Sequence, residues 1–506
     1  MTTLPVKLDD VLESATAYCL ATQTDAGAWE TEPDPRVTET ALMWCALSPL
    51  PDAPSQAAAG RARKWLMRAA PQRHHPAAEA FEGALRSLVL DRDGAIDIRS
   101  SVFDDPVVAS RARLLQVIAT HRNRVVLGGS TPTTLREALA HACAQAETAR
   151  FKPWTRTEYL SARALLEAHL GCPAQARETT EALCRDQSPD GMFHANPITT
   201  ALALLALTAT MPRSRAWRRA HHGVLRAQRP DGTWRFCTSD VWDATLTVRA
   251  FKGIPQFDRQ GLAPAVRFLR RVQNDDGGWS FRSGTESDND TTSAALIALA
   301  GLPEVPDAVT GRALAYLAQR RTPDGLWRTW QHLQDPPTED VVAHAVTALD
   351  RYDSRHSVGV EDARRWLVGR WKSTGRWTAS WYRGLPYSVL EVSSALHDRA
   401  ILREVGEDLL TAQNDDGGWP AEPGGDSLPS ATGLALAALD RCGVEHAHAR
   451  RGGLGYLADS QCGDGTWPGM PEMVGPRPLL THYQTQTHAF VAMGLRTAFP
   501  YGPGGR

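Results

Sequence analysis

The feature that most constrains this sequence is a repeated motif, a glutamine followed four residues later by glycine and two residues after that by an aromatic residue. Copies begin at Gln23, Gln187, Gln228, Gln273, Gln413 and Gln461, and a looser copy spans Asp324 to Trp327. Neighbouring copies such as Gln228 and Gln273 lie about 45 residues apart, a period typical of repeat architectures. Tryptophan is correspondingly abundant, with 16 residues against 11 phenylalanines.

One copy of the repeat predicts a pair of helices. An apolar segment at 263–272 ends near the glutamine, and the glycine suits a tight turn because it tolerates positive φ. Alanine- and leucine-rich runs with helical spacing follow the turns, at 199–207, 292–300 and 430–439. Each hairpin buries its apolar face only against its neighbours, so the chain is predicted to be all-α. Stacked hairpins can form either an open solenoid or a closed α/α barrel.

Composition argues against several classes of protein. The 506 residues carry a net charge of −2 without a basic block, which argues against a nucleic-acid partner. No run of 18 apolar residues predicts a membrane span, and the polar residues 1–13 predict no signal peptide. The eight cysteines form no Cys-x-x-Cys pair, so neither a disulfide framework nor structural zinc is expected. The chain is therefore predicted to be cytoplasmic.

Two acidic segments are the candidates for chemistry. Asp288 and Asp290 lie in Asp-Asn-Asp-Thr-Thr, at the start of the helix predicted through Ala300. Such residues are common as N-caps, but a carboxylate pair also keeps one proton and can serve as an acid. The second segment, Asp-Pro-Pro-Thr-Glu-Asp-Val-Val-Ala-His, ends with Asp340 and His344 on one helix face.

The repeat and both segments resemble the class II terpene cyclases, the superfamily of squalene–hopene cyclases and copalyl diphosphate synthases. The resemblance implies two α/α barrels of Gln/Trp hairpins, called β and γ, with 1–30 and 236–506 forming β and 31–235 forming an inserted γ. It also implies that Asp290 donates the proton with Asp288 beside it, that His344 orients Asp290, and that Asp340 supports His344. Thr291 stands where the family has its third acidic residue; it can hydrogen-bond Asp290 and is counted among the candidate substrate-binding residues.

Aromatic residues are expected to line the cavity, because aromatic faces stabilise carbocations. By resemblance to the family, the segment Asp240 to Thr245 contributes Trp242. The segment at 377–388 contributes the other candidates: Trp377, Trp381, Tyr382 and Tyr387. Each of these residues could equally be an aromatic of the core.

The substrate is predicted from the region 80–139. The stretches at 80–82, 96–106 and 131–139 resemble copalyl diphosphate synthases, which implies a prenyl diphosphate. We expect geranylgeranyl diphosphate to give a bicyclic labdane-type diphosphate, with farnesyl diphosphate giving a drimenyl-type product as the alternative. The diphosphate calls for cations and Mg²⁺. The candidate diphosphate ligands are Arg122, Arg124 and Lys252, and the candidate metal ligands are Glu82 and Glu79.

The family implies an isomerase that acts without ionising the diphosphate. A homodimer and a downstream class I cyclase or phosphatase are compatible with this prediction. Two other classes stay open: a non-catalytic α/α scaffold and a subunit like that of the protein prenyltransferases, which needs a zinc site of Asp, Cys and His.

Overall fold

The computed structural model describes residues 4–91, 94–99, 101–103, 106–149, 152–330, 336–352 and 359–499. The α-helices are α1 (Leu4–Ala21), α2 (Val37–Leu47), α3 (Ala53–Leu66), α4 (Pro76–Leu90), α5 (Pro106–His121), α6 (Pro132–Ala149), α7 (Pro153–His169), α8 (Pro173–Leu183), α9 (Pro197–Thr210), α10 (Arg215–Ala227), α11 (Asp240–Phe251), α12 (Pro255–Phe257), α13 (Ala263–Arg271), α14 (Asn289–Leu299), α15 (Asp307–Gln319), α16 (Glu339–Arg351), α17 (Val360–Thr374), α18 (Leu385–Ala395), α19 (Arg399–Thr411), α20 (Pro429–Cys442), α21 (Ala447–Asp459) and α22 (Gln484–Leu495). A π-helical turn, Asp258–Leu262, joins α12 to α13.

The strands are two residues long: β1 (Ile96–Asp97), β2 (Val126–Leu127), β3 (Trp419–Pro420), β4 (Ser427–Leu428), β5 (Met473–Val474) and β6 (Leu480–Thr481). The all-α prediction is confirmed. Within the described ranges, no helix combines the length and the apolar character that crossing a membrane requires.

The chain divides into two compact units. The first unit comprises Met1–Thr31, Thr238–Val474 and Thr481–Arg506, and the second comprises Glu32–Cys237 and Gly475–Leu480. The predicted boundaries at 30 and 235 lie within two residues of this division. The prediction was wrong for Gly475–Leu480, which the sequence assigned to the main barrel. These residues group with the second unit because Arg36 and Gln72 bond the carbonyl of Leu480.

In the first unit, two concentric rings of helices close into a barrel. The inner ring runs in order through α11, α14, α16, α18, α20 and α22, and α22 packs back against α11. The outer helices that cover them are α13, α15, α17, α19, α21 and α1. Because the inner ring closes on itself, the first unit is an α/α barrel and not an open solenoid.

The repeat glutamine links neighbouring hairpins. The Gln273 side-chain amide donates to the carbonyl of Gly277 at 2.8 Å and to that of Val309, in the next outer helix, at 3.0 Å. Gly277 has a φ of +88°, and a Cβ there would lie 2.7 Å from the Arg312 carbonyl oxygen. Gln461 makes the corresponding bond to Val11 of α1 at 3.1 Å, so the motif also joins the last outer helix to the first.

The repeat tryptophan fastens each turn to its own helix. The indole N–H of Trp279 donates to the carbonyl of Leu269, ten residues earlier, at 2.7 Å. The same bond is made by Trp29, Trp234, Trp327, Trp377, Trp419 and Trp467. The turn ending at Trp377 was missed as a copy of the repeat because Trp371 stands where the glutamine is expected.

The second unit also closes its inner helices. Its inner ring runs through α2, α4, α5, α7 and α9, and α9 packs back on α2. The outer helices are α3, α6, α8 and α10. Gln228 ties its own turn to the Ala58 carbonyl of α3 at 2.9 Å, as the glutamines of the first unit do.

We expect Gln413→Ala to lower the free energy of unfolding by about 1–3 kcal/mol, because it removes bonds to the carbonyls of Gly417 and Ala449 and leaves both partly buried acceptors without a donor. Chemical denaturation measures the loss. Gln319→Ala, on the exposed face of α15, is the control and should change stability little. Equal stability of the two variants would contradict a linking role for the repeat glutamine.

Candidate active site

The acidic run at the start of α14 places its two carboxylates in different roles. Asp288 is the N-cap: it accepts from the Thr291 backbone N–H at 2.6 Å and from the Thr291 hydroxyl at 3.0 Å. Thr291 therefore bonds Asp288 and not Asp290 as predicted. Asn289 is anchored by the carbonyls of Thr329 and Arg328. Asp290 lies in the first turn, where the helix N-terminus favours negative charge.

His344 connects Asp290 to a second carboxylate. Its Nδ1 lies 2.6 Å from Asp290 Oδ1, and its Nε2 lies 2.9 Å from Glu391 Oε2. The ionised Glu391 accepts from Nε2, and in the charged imidazole Nδ1 donates to Oδ1 of Asp290. Burial opposes that charge, but Glu391 and Asp290 outweigh it and raise the pKa of His344 to about 10.

Glu391 and Arg249 complete a chain of alternating charges that the sequence analysis missed. Both carboxylate oxygens of Glu391 lie 2.8 Å from Arg249 Nη1. Burial raises the pKa of Glu391, but Arg249 and His344 have the larger combined effect and lower it to about 2. The available signal was weak: Glu391 is the one charged residue of α18.

Asp340 is buried on the same helix as His344, but no hydrogen bond joins the two side chains, so the supporting role of Asp340 stays a prediction. Asp340 Oδ2 accepts from the Ser380 backbone N–H at 2.8 Å, and its buried Oδ1 has no partner in the described part of the chain. Burial, followed by the charge of Asp290, raises the pKa of Asp340 to about 6. Asp340 therefore influences Asp290 and His344 electrostatically and not through a hydrogen bond.

An aromatic wall adjoins His344 and brings together three of the predicted residues. Trp242 and Tyr387 lie 6.1 and 6.5 Å from His344 between ring centroids, and Tyr382 lies 4.4 Å from Tyr387. Phe490, which the sequence analysis missed, meets Tyr382 edge-on at 5.3 Å. These rings surround the acid with faces that can stabilise a cation.

Hydrogen bonds hold this wall in place. The Trp242 indole donates to the Tyr382 hydroxyl at 2.6 Å, and that hydroxyl donates to Gln486 Oε1 at 2.7 Å. Gln486 in turn donates to Asp243 Oδ1 at 2.9 Å. Burial raises the pKa of Asp243 to about 7. Neither Gln486 nor Asp243 was predicted as a site residue.

Two predicted aromatics lie elsewhere. Trp377 holds its repeat turn through Leu367, so its position is that of a structural residue. Trp381 donates from its indole to the Thr329 hydroxyl at 2.9 Å and is only partly buried. It thus steadies the segment that anchors Asn289, next to Asp290.

The predicted diphosphate ligands are engaged with carbonyls of the chain. Lys252 donates to Ala298 and Ala300, both at 2.9 Å, at the C-terminal end of α14 and roughly 14 Å along that helix from Asp290. Arg124 bonds the carbonyls of Asp91 and Gly94. Arg122 bonds the Cys45 carbonyl at 3.2 Å and stacks on Trp44. All three have structural partners, which argues against their predicted role.

The predicted metal ligands do not fit Mg²⁺ as a pair. Glu82 is buried and accepts from the Thr38 hydroxyl at 2.9 Å and the Gln72 backbone N–H at 2.9 Å. Glu79 is exposed, with Arg73 3.9 Å away. Among the described residues, no cluster of three or more acidic, histidine or cysteine side chains could hold a metal. The stretch Asp104-Asp105 lies outside the described residues.

Several buried acids predict how stability depends on pH. Burial raises the pKa of Asp243 to about 7, of Asp340 to about 6 and of Glu472 to about 7, so each carboxyl binds a proton more tightly in the folded state. The charged His344 stabilises the folded state. This stabilisation is fully present below the pKa of His344 in the unfolded chain and is lost as the pH rises through about 10. All four effects have the same sign.

These four groups should therefore lower the free energy of unfolding by on the order of a few kcal/mol as the pH rises from about 4 to 10, whereas His488, whose pKa burial lowers to about 4, acts in the opposite direction at the acidic end of this range. Denaturant titrations across this range measure the slope. Asp243→Asn should make the slope between pH 4 and 7 less negative than in the wild type, whereas Asn in place of the exposed Asp415 should not. Equal slopes for Asp243→Asn and the wild type would refute the burial argument.

Comparisons with known proteins agree with this geometry. The family model described as the squalene-hopene cyclase C-terminal domain matches residues 194–332 and 329–498. A drimenyl diphosphate synthase of Streptantibioticus cattleyicolor is 32% identical over 67% of this chain, and the match spans 60% of that relative. One of Streptomyces showdoensis is 28% identical over 96% of this chain and 89% of its own length.

A solved structure supports the fold. The ent-copalyl diphosphate synthase from Streptomyces platensis superposes with a TM-score of 0.61 at 16% identity, covering 96% of this chain and 99% of that one. At this identity the likeness concerns the fold alone.

Proposed function

We propose that this chain, which belongs to the squalene–hopene cyclase family of class II terpene cyclases, protonates the terminal alkene of a linear prenyl diphosphate and closes two rings with the diphosphate retained. The observation that carries the proposal is the buried chain Asp290–His344–Glu391–Arg249. A helix cap would need neither His344 nor the Glu391 and Arg249 side chains behind it.

The first step transfers a proton from Asp290 to the alkene. His344 occupies Oδ1 of Asp290 as a donor, so the transferable proton resides on Oδ2. When that proton leaves, the new carboxylate lies against a positive imidazole and a helix N-terminus, which both stabilise it. Glu391 and Arg249 keep His344 charged throughout.

The rings of the aromatic wall then stabilise the carbocation as the rings of the product close. Trp242, Tyr382 and Tyr387 are fully or nearly fully buried, so their faces act in a dry environment where a cation–π contact contributes about 2 kcal/mol. The same burial excludes water that would quench the cation early. The hydrogen bonds from Trp242 through Tyr382 to Gln486 keep the rings oriented.

The substrate we propose is farnesyl diphosphate, giving a drimenyl-type diphosphate. This is the alternative of the sequence analysis, and it is supported by the names of the relatives at 32% and 28% identity. Geranylgeranyl diphosphate, the first expectation, has only the fold likeness in its favour. Magnesium dependence stays a prediction.

The test is incubation of the protein with farnesyl or geranylgeranyl diphosphate, followed by phosphatase and mass spectrometry. We expect a bicyclic C15 alcohol from farnesyl diphosphate at a higher kcat/KM than for the C20 substrate. A preference for geranylgeranyl diphosphate would restore the labdane expectation. If neither compound is cyclised, the enzyme proposal fails and a scaffold of this fold becomes the better description.

A further inference from the structure

Two residues of opposite charge face each other beside the aromatic wall. Tyr382 pairs with Met473 in an antiparallel bridge, the Arg383 backbone N–H donates to the Glu472 carbonyl at 2.9 Å, and the Val474 N–H donates to the Trp381 carbonyl at 2.7 Å. This register places Arg383 directly opposite Glu472, so both side chains lie on one face of the ladder. Tyr382 lies on the other face.

No hydrogen bond or ion pair joins the two side chains in the described part of the chain. Arg383 is half-buried, and its buried Nε has no hydrogen-bond partner among the described residues. Glu472 is 8% exposed; its Oε1 accepts from the Ser430 hydroxyl at 2.8 Å, and its Oε2 accepts no bond from a described residue. A buried donor that is left unsatisfied costs free energy, so Arg383 Nε favours an acceptor supplied by a ligand.

A ligand that carries both charges would satisfy them together. Mg²⁺ binds through one or two carboxylates together with substrate phosphates, and Glu472 has one oxygen without a donor. The planar guanidinium of arginine matches phosphate oxygens. This pair therefore fits a magnesium diphosphate, which Glu79 and Glu82 do not.

The pair lies at the same end of the first barrel as the acid. Arg383 precedes α18 by two residues, Ser430 is in the first turn of α20, and Asp290 is in the first turn of α14. Helix N-termini carry partial positive charge, so this end of the barrel favours a phosphate.

We infer that Arg383 and Glu472 form the subsite for the diphosphate end of the substrate, with Arg383 on phosphate oxygens and Glu472 on a bound Mg²⁺. The inference rests on the proposed prenyl diphosphate substrate.

The test is calorimetric titration of the full chain with inorganic pyrophosphate, with and without Mg²⁺. We expect Mg²⁺ to tighten binding. Arg383→Gln should weaken binding about tenfold or more under both conditions. Glu472→Gln should remove the effect of Mg²⁺. The matched control is Arg376→Gln, because Arg376 is an exposed arginine of the same barrel. This variant should bind pyrophosphate as the wild type does.

Circular dichroism checks that each variant is folded, and Glu472→Asp replaces Glu472→Gln if the latter is not. Wild-type-like binding by both Arg383→Gln and the Glu472 variant overturns the inference, as does a wild type that binds no pyrophosphate. If the wild type still cyclises farnesyl diphosphate in that case, the proposed function stands. Altered pyrophosphate binding in the variants, with no cyclised product from the wild type, supports this subsite and defeats the proposed function.

Discussion

Asp290→Asn is expected to lower kcat by about a thousandfold or more while the protein stays folded. The amide keeps the shape of the side chain but cannot release a proton, and a positioned acid contributes about 10²–10⁴ in rate. Asp290 is buried and no other carboxyl bonds His344 Nδ1, so no described group takes its place. The measurement is single-turnover product formation from farnesyl diphosphate, with circular dichroism as the check on folding.

Asp288→Asn is the matched control for this variant. Asparagine caps a helix as well as aspartate does, so the bonds to Thr291 are kept and stability should change little. Activity should stay within about tenfold of the wild type, because the Asp288 side chain bonds Thr291 and the amide keeps that cap. The opposite pattern, with Asp288→Asn inactive and Asp290→Asn active, would move the proton donor to Asp288.

The second large effect is expected from Glu391→Gln. This substitution keeps an acceptor for His344 but removes the charge that holds both His344 and Arg249. Breaking a buried ion pair costs about 3–5 kcal/mol of stability, because Arg249 is left without its counter-charge. We expect kcat to fall by about a hundredfold or more, since the imidazole then supports the Asp290 carboxylate less well.

The pH profile separates this role from a merely structural one. Loss of the Glu391 charge lowers the pKa of His344 from about 10, so the alkaline loss of activity should begin at a lower pH than in the wild type. Glu404→Gln is the control, because Glu404 is an exposed carboxylate that bonds Trp371 and not the site. An alkaline limb that stays in place in Glu391→Gln would show that Glu391 does not set the charge of His344.

Asp290 shows how far the sequence could predict the site. The sequence left a choice between a helix cap and an acid, and the structure assigns the cap to Asp288 and brings Asp290 to His344. The pairing of Asp290 with His344 was predictable because each lies in a motif that resembles the family's. The role of Glu391 was not predictable, because its partners are 47 and 142 residues away and a single charge in an apolar helix does not reveal what it contacts.

The cations show the same limit. Arg122, Arg124 and Lys252 are candidates in sequence because any basic residue near a motif can meet a phosphate. Only the fold reveals that each has carbonyl acceptors already. The pairing of Arg383 with Glu472 could not be predicted from the sequence, because a short ladder between two distant segments brings the two residues opposite each other.

By itself, then, the sequence determined the helix hairpin, its turn and the acid motif, because these depend on residues within a few positions of one another. It left the closure of the barrel undecided, since hairpins of this kind stack equally well in a line. The tertiary structure decided closure through the bond from Gln461 back to Val11 and the packing of α22 on α11. It also decided which charges meet inside the barrel, because a closed ring brings together side chains that lie far apart along the chain.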